Sequence, residues 1–335
     1  MNVLVLGGTR FFGKTLVERL VSAGHAVTVL SRGRLPPPAG AEHLVADRGD
    51  PAALRAALAG RSFDAVVDNV AMTAEHVGAA LEALGGRAGH YVLTSSIAVY
   101  GDFTRGQIWR EADLDAVELA RPPADAHPYT LGKRGAELTL WRGEREEVPF
   151  TILRPGYVVS PHDHLGRMQF FVRRLQDGGP VVIPSGAADV FQLAWHADVA
   201  AAFARVLGDA ASFGRAYNLV GRELFTYPSL VRALAAAAGV EARCVEVPRA
   251  LLRRGALASQ ELPFGEDDSM WACDTMRLER ELGLAPTPAA TWLRELAGAP
   301  LPAPTRADDA ERAAELASAQ WLRRVLPGAP SRLRR

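Results

Sequence analysis

Along the first half of the chain, short apolar runs alternate with longer stretches in which apolar residues recur every three or four positions. "MNVLVL" opens the chain as a buried strand, and Leu16, Val17, Leu20 and Val21 then make one helical stripe that Gly24 stops. "HAVTVLSRG", "HLVADRGD", "FDAVVDNVA", "HYVLTSS" and "FTILRPG" follow as further strands, most of them turning polar at their C-terminal ends. Asp50 and Pro51 supply an N-cap followed by proline at a first helical position. Strands alternating with helices predict a parallel sheet covered on both faces. Polar residues gathered at strand C-termini are where such sheets bind ligands.

From Tyr157 the pattern loosens. "SPHDHLGR" and "DGGPVVIPSGAAD" read as loops around a helix from Met168 to Gln176. "HADVAAAFARVLG" and "YPSLVRALAAAAG" read as helices, the second with Pro228 near its start and Gly239 at its end, and "RAYNLVG" as a strand returning to the sheet. The predicted class is α/β: a doubly wound parallel sheet over residues 1–156, rejoined by about 190–221, with a smaller, mostly helical substrate domain mainly over 157–304. Residues 305–335 form a C-terminal helical tail, with Asp308, Asp309 and Glu311 near its start and Arg323 and Arg324 near its end, as the helix dipole favours. Its final "RLRR" reads as a solvated terminus.

Composition narrows the class. The 335 residues are 48% apolar and 23% charged, enough for a substantial soluble core. Lys+Arg and Asp+Glu are both 38, so no global field favours nucleic acid or an anionic membrane. No apolar run reaches the roughly 18 residues of a membrane helix. The first strand begins at Met1 with no apolar leader ahead of it. The expectation is a cytoplasmic protein with no membrane partner. Cys244 and Cys273 lie in no metal or redox spacing and are expected to be reduced core thiols. His162 and His164 form an H-x-H without a third ligand, so no metal is expected; His196 is expected to pack or cap at its helix start.

"LGGTRFFGKT" satisfies two incompatible phosphate-binding patterns. From Gly8 it is G-x-x-x-x-G-K-T, the nucleoside-triphosphate loop. From Gly7 it is the glycine-rich turn of a dinucleotide-binding unit, with Arg10 where a middle glycine would sit. Both need a strand before and a helix after. The loop interior favours the dinucleotide, because Phe11 and Phe12 suit a tight phosphate nest poorly but can pack beneath a helix start. At the end of the second strand, Ser31 stands where an acidic residue would bind a ribose 2′-hydroxyl, and Arg32 follows it. Arg32 and Arg10 could both meet a 2′-phosphate, so the expected cofactor is NADP, with NAD as the alternative.

"PYTLGKRGAE" carries Tyr129 and Lys133 at i, i+4 on one helix face. A phenol has a pKa near 10. An ammonium one turn away is expected to lower it and make Tyr129 a usable general acid or base. "TSSIAVYG" adds Ser95 and Ser96 at a strand end, where a hydroxyl can bind a carbonyl or alkoxide.

These segments, with "LRPGYVVSP", "HADVA" and "DTMRLERELGL", make residues 1 to 300 or so resemble the extended short-chain dehydrogenases/reductases of the NAD-dependent epimerase/dehydratase family. The resemblance implies a Rossmann-like sheet and a catalytic Ser96, Tyr129 and Lys133, the lysine also holding the nicotinamide ribose. It implies a pyrophosphate turn of Gly7, Gly8, Thr9, Arg10, Phe11 and Phe12, and Asp47 and Arg48 beside the adenine. Asn69, Val70 and Ala71 would line the cofactor, and Pro155, Gly156 and Val158 would meet the nicotinamide amide. Lys14 and Thr15 then belong to a helix start, and the triphosphate pattern is accidental. The resemblance also implies a homodimer paired through the helix bearing Tyr129 and Lys133.

Two departures matter. Nucleotide-sugar enzymes of the family commonly carry an arginine shortly before "HADVA", where this chain has Phe191 and Gln192. Their dehydratases carry an acidic pair after the catalytic Ser/Thr, where this chain has Ile97 and Ala98. "GGTRFFG" and "FQLAWHADVA" are more similar to a side branch that includes chloroplast stem-loop RNA-binding proteins and bacterial relatives. The sequence therefore implies an NAD(P)-dependent oxidoreductase or epimerase acting on a carbinol or ketone of a small polar molecule. RNA binding on the same fold is the alternative, and the neutral chain argues against it.

Overall fold

Alternation along the first strand divides the core into two layers. In the computed structural model of the chain, residues 1–101, 103, 106–143, 148–184, 190–247, 263–264, 269–301, 303 and 306–325 are described. β1 (Asn2–Leu6) leads into α1 (Phe11–Ser22), β2 (Ala26–Ser31), β3 (Glu42–Val45), α2 (Pro51–Leu58), β4 (Ala65–Asp68), α3 (Ala74–Leu84) and β5 (Tyr91–Thr94). A short α4 (Ala116–Leu119), α5 (Pro128–Arg142), β6 (Phe150–Pro155) and β7 (Tyr157–Val159) follow. Val3 and Val5 face a layer containing Leu16, Val17 and Leu20 of α1, whereas Leu4 and Leu6 face Leu54 and Leu58 of α2 and Val77 and Leu81 of α3. Asp50 caps α2, its Oδ1 accepting from Ala52 N at 2.9 Å and Ala53 N at 3.2 Å, with Pro51 at the first helical position.

The remaining elements are α6 (Arg167–Gln176), β8 (Val181–Pro184), β9 (Val190–Trp195), α7 (His196–Val206), β10 (Arg215–Leu219), β11 (Leu224–Phe225), α8 (Tyr227–Ala238), β12 (Cys244–Val247), β13 (Met270–Trp271), α9 (Met276–Leu282), α10 (Ala289–Gly298) and α11 (Arg306–Val325). Residues 1–164, 192–222 and 272–287 form one compact unit, and the described residues within 165–191, 223–271 and 288–335 a second.

The first unit holds a seven-stranded sheet in the order β10-β6-β5-β4-β1-β2-β3. Every pairing in it is parallel. It is the doubly wound, Rossmann-like sheet expected from the alternating pattern. β10 lies at one edge with Ala216 opposite Ile152, so the stretch "RAYNLVG" does return to the sheet. Because the strands run one way, the chain leaves β1, β2, β4, β5 and β6 at a single edge.

In the second unit Phe171, Phe191, Tyr227 and Phe264 pack ring against ring, with centroids 5.1 to 6.3 Å apart. "VVIP", read from sequence inside a loop, is instead the fully buried β8, paired in parallel with β12 from Val181 opposite Cys244 to Pro184 opposite Val247. Its partner lies some sixty residues along the chain, beyond what local pattern registers. Cys273 is buried as expected, but Cys244 is only half-buried in its strand; both are free thiols. α11 is held by the buried Glu315, which pairs with Arg174 Nε at 2.8 Å and accepts from Val182 N at 3.1 Å, and by Arg312, which forks onto Asp177. The terminal "RLRR" and the side chains of Arg323 and Arg324 lie outside the described residues. Among the described residues, no helix is long and apolar enough to cross a membrane.

A fully buried histidine makes this sheet sensitive to acid. His90 Nδ1 accepts from Gly208 N at 3.2 Å and Nε2 lies 3.0 Å from Thr151 Oγ1, so the neutral ring satisfies both nitrogens. Burial lowers its pKa to about 4, against the weak opposing pull of Asp209. The folded state therefore binds fewer protons than the unfolded chain between pH 6.5 and 4. The stability that His90 contributes is complete above 6.5 and is lost as pH falls through 4, by about 3 kcal/mol. Urea unfolding of wild type and His90→Gln across that interval should show a shallower decline in the variant; parallel declines would count against this role.

Candidate active site

The turn after β1 is a backbone surface. Gly7 and Gly8 have φ of +93° and +102°, which side chains rarely adopt. A Cβ on Gly7 would lie 2.8 Å from Val70 Cγ1, and one on Gly8 3.0 Å from both Val5 and Val17. Arg10, the N-cap of α1, is extended at φ −141° and supplies no side-chain cap. The amide groups of the first turn of α1 are thus available to an anion. Arg10 needs no glycine geometry, which explains how arginine stands at the middle position of the loop. Thr9 is half-buried beside it.

Phe11 and Phe12 pack as the sequence suggested. Phe12 is buried and stacks on Phe203 at 5.9 Å; Phe11 lies 5.5 Å from Phe12 and 6.1 Å from His164. Phe11 alone among the described non-glycine residues has a positive φ, +55°. Lys14 lies on the exposed side of α1 beside Glu18, and Thr15 Oγ1 meets His196 Nδ1 at 2.9 Å. His196 begins α7 rather than capping it, and burial, reinforced by His162, lowers its pKa to about 4. His162 and His164 are exposed, and no group of three metal-ligating side chains occurs among the described residues.

At the end of β2, Ser31 Oγ lies 2.8 Å from His43 Nε2 and accepts from Gly33 N at 3.3 Å. Arg32 beside it is exposed. Asp47 accepts from Gly49 N at 2.9 Å and so shapes its own turn. Arg48 is occupied internally: its guanidinium donates to Asp68 Oδ1 at 2.5 Å and to the His76 carbonyl at 2.6 Å. Asp68, wholly buried at the end of β4, also accepts from the Tyr91 hydroxyl and from Val70 N. Asn69 accepts from Thr94 Oγ1 at 3.1 Å, Val70 is 39% exposed above Gly7, and Ala71 is buried.

α5 carries the chemical groups. A Cβ on Gly132 would run into the Met72 carbonyl, so only glycine lets the helix come this close to the end of β4. Lys133, 3% exposed, thereby reaches the carbonyls of Ala71 at 2.7 Å and Thr94 at 2.8 Å. Its Nζ lies 5.8 Å from the centre of the Tyr129 ring. Ser96 caps the turn Ile97–Tyr100, and its hydroxyl lies near enough to the Tyr129 phenol to favour the phenolate. Ser96, Tyr129 and Lys133 therefore meet at one place.

Their electrostatics differ from the sequence expectation. Burial raises the Tyr129 pKa, opposed by the Ser96 hydroxyl, although 36% of the residue stays exposed. Lys133 does not pull it down. Burial instead lowers Lys133 itself to about 8, against Asp68 and Glu137, which favour its charge. Two backbone carbonyls hold the ammonium, rather than the phenol oxygen.

Pro155, Gly156 and Val158 continue the same edge after β6. A Cβ on Gly156 would lie 2.7 Å from Val220 Cγ1, and Val158 is buried. Phe191 packs against Tyr227 and Phe264. Gln192 donates to the Gly221 carbonyl at 2.8 Å and accepts from Cys273 N at 2.7 Å. No cation stands at either position. Ile97 and Ala98 are buried and carry no acid or base.

Sequence reading missed four residues at this site. Gly13 is the third glycine of the turn, and a Cβ there would strike the Asn69 side chain and sit 3.0 Å from Gly8 Cα. Asp68, Glu137 and Arg154 are wholly buried charges. A charged residue inside an apolar strand ("FTILRPG") or at i+4 from Lys133 was the available signal, since a buried charge requires a partner.

The NAD dependent epimerase/dehydratase family model matches residues 3–86 and 68–219. A chloroplast stem-loop binding protein of 41 kDa (b) from Arabidopsis thaliana is 31% identical over 253 residues, 71% of this chain and 63% of that protein's length. The fold is shared with the NAD complex of UDP-glucose 4-epimerase from Thermus thermophilus, at 24% identity and a TM-score of 0.69, covering 89% of this chain and 98% of that one. It is also shared with dTDP-glucose 4,6-dehydratase from Streptomyces venezuelae with NAD and TYD bound, at 22% identity and a TM-score of 0.68, covering 89% and 96%.

Proposed function

The chain belongs to the NAD dependent epimerase/dehydratase family, and on that premise we propose that it is an NAD(P)-dependent oxidoreductase or epimerase of a small polar carbinol or ketone. The observation that carries this is the meeting of Ser96, Tyr129 and Lys133 at the strand edge that also bears the glycine turn.

The turn suits a dinucleotide because its backbone is bare where side chains would collide. Gly7, Gly8, Thr9, Arg10, Phe11 and Phe12 would hold the pyrophosphate, Ser31 and Arg32 the adenosine ribose, and Asp47 the adenine. Asn69, Val70 and Ala71 would line the dinucleotide, Lys133 would hold the nicotinamide ribose, and Pro155, Gly156 and Val158 would meet the amide. The Arg48 side chain is already committed to Asp68. A bound nicotinamide supplies or accepts the hydride.

The protein's own part is to move one proton at one oxygen. In the reducing direction Ser96 donates a hydrogen bond to the substrate carbonyl oxygen, and the Tyr129 hydroxyl gives that oxygen its proton as negative charge develops there. The Lys133 ammonium, held by the Ala71 and Thr94 carbonyls, would serve the nicotinamide ribose rather than the phenolate. In the oxidising direction the same phenolate takes the carbinol proton. With Phe191 and Gln192 packed inward, no arginine at those positions meets a diphosphate, which favours a substrate other than a nucleotide sugar.

A second reading rests on the Arabidopsis relative, which is named for stem-loop binding: an RNA-binding protein on this fold. The balanced charge favours the enzyme. Titration against a labelled stem-loop RNA should give no saturable binding at physiological salt; micromolar, salt-sensitive binding would favour the second reading.

Two measurements test the enzyme directly. No carboxylate stands at Ser31, and Arg32 and Arg10 are exposed cations with no ion-pair partner among the described residues, so NADPH should bind about tenfold more tightly than NADH. Equal affinities, or tighter NADH, would remove the assignment of these arginines. Tyr129→Phe should lower turnover by about 10²–10⁴ while changing cofactor affinity little, because only the proton-bearing oxygen is lost. Turnover at the wild-type rate would mean that another group moves the proton.

A further inference from the structure

We propose that the Glu137–Arg154 pair is the positioning element of this site, one carboxylate setting both the helix that bears Tyr129 and Lys133 and the strand end that bears Ser96. The inference rests on the proposed function for its meaning, and on geometry for its content. Glu137 follows Lys133 by one helical turn on the same face of α5. It is wholly buried and accepts from Arg154 Nε at 2.9 Å and Arg154 Nη2 at 2.6 Å. Its Oε1 also accepts from the Ser95 hydroxyl at 2.5 Å, and Ser95 is the chain neighbour of Ser96. A rotation of α5 about its axis would break the forked pair and move Tyr129 and Lys133 by the same angle.

Arg154 is in turn held from behind. Its Nη1 donates to the Tyr100 hydroxyl at 3.1 Å, and Tyr100 donates to Asn218 Oδ1 at 2.9 Å. Asn218 N donates to Glu111 Oε1 at 2.8 Å. The pair is thus braced by β10 as well as by β6, and Glu137 has no freedom to follow a displaced helix. The charged or titratable groups that face Lys133 are Asp68 at the end of β4, Arg48 behind it, His76 on α3, and Tyr129 and Glu137 on α5 itself.

Lys133 is one of only two lysines in the chain, the other being the exposed Lys14. Its titration can therefore be followed by NMR of ε-carbon-labelled lysine, with Lys14→Arg identifying its signal, and without cofactor or substrate. The variant to compare is Glu137→Gln/Arg154→Met, which removes both charges together and leaves neither buried alone. We expect its Lys133 signal to move and its titration midpoint to fall by about one pH unit or more. Ser95→Ala, which removes one hydrogen bond and no charge, should move the signal less. An unchanged Lys133 shift and midpoint in the folded double variant would reduce the pair to a structural contact and overturn the proposal. If the double variant does not fold, the same readout on Glu137→Asp decides, since the shorter carboxylate keeps the charge but cannot reach Arg154 and Ser95 together and should displace the signal; an unchanged signal there overturns the proposal as well. Failure of NADPH and NADH to bind wild type would instead overturn the proposed function, and leaves this readout intact.

Discussion

A carboxylate and a guanidinium with no exposure can remain charged only as a pair, and Glu137 with Arg154 meets that condition between α5 and β6. Burial alone would lower the arginine pKa, but Glu137 and the Tyr100 hydroxyl more than offset it. Removing either member would strand the other at a cost of about 3–5 kcal/mol. Hydrophobic packing allows a helix to slide or turn on a sheet by small amounts, because many side-chain arrangements have similar energy. A forked ion pair in a dry interior does not. The angle of α5, and hence the direction in which Tyr129 and Lys133 project, is set by this directional contact.

A second buried pair does comparable work at the neighbouring strand. Arg48 and Asp68 join the turn after β3 to the end of β4, with Tyr91 donating to the same carboxylate. This fixes the backbone of Asn69 to Ala71, and the Ala71 carbonyl is one of the two that hold Lys133. The ammonium is therefore placed by backbone that is itself placed by buried charge. Around it the surface is mostly main chain: the bare turn at Gly7 and Gly8, the first turn of α1, and the close approach at Gly132. Such a surface presents N–H and C=O groups at fixed positions without side-chain entropy, which suits recognition of a polyanionic ligand.

The alternating pattern of the first half made the parallel sheet legible, because its inner strands are buried on both faces and read as mostly apolar runs, while only the edge strand β3 is largely open to solvent. The strands of the second half were not legible in the same way. β8 follows Gly178, Gly179 and Pro180 and itself ends on Pro184, and its partner β12 is distant in the chain. Turn signals on both sides of four residues look like a loop until the partner is known. Phe191 and Gln192 illustrate the same limit: their identity excluded an arginine, but their roles in a ring cluster and in two backbone hydrogen bonds appear only in the fold.

Periodicity and spacing by themselves determined the doubly wound sheet, the glycine turn at its first strand end, and the placing of Tyr129 and Lys133 on one helix face, since each depends only on residues near one another in the chain. The tertiary structure decided the electrostatics. The sequence suggested that Lys133 would lower the Tyr129 pKa, because one turn of helix brings the two within reach. In the fold, Lys133 is drawn away to the carbonyls of Ala71 and Thr94, and burial raises the phenol and lowers the ammonium. The reason is that a charge is governed by everything around it in space, and apart from Glu137 on the same helix those neighbours (Asp68, Arg48, two carbonyls) come from separate segments that only folding brings together.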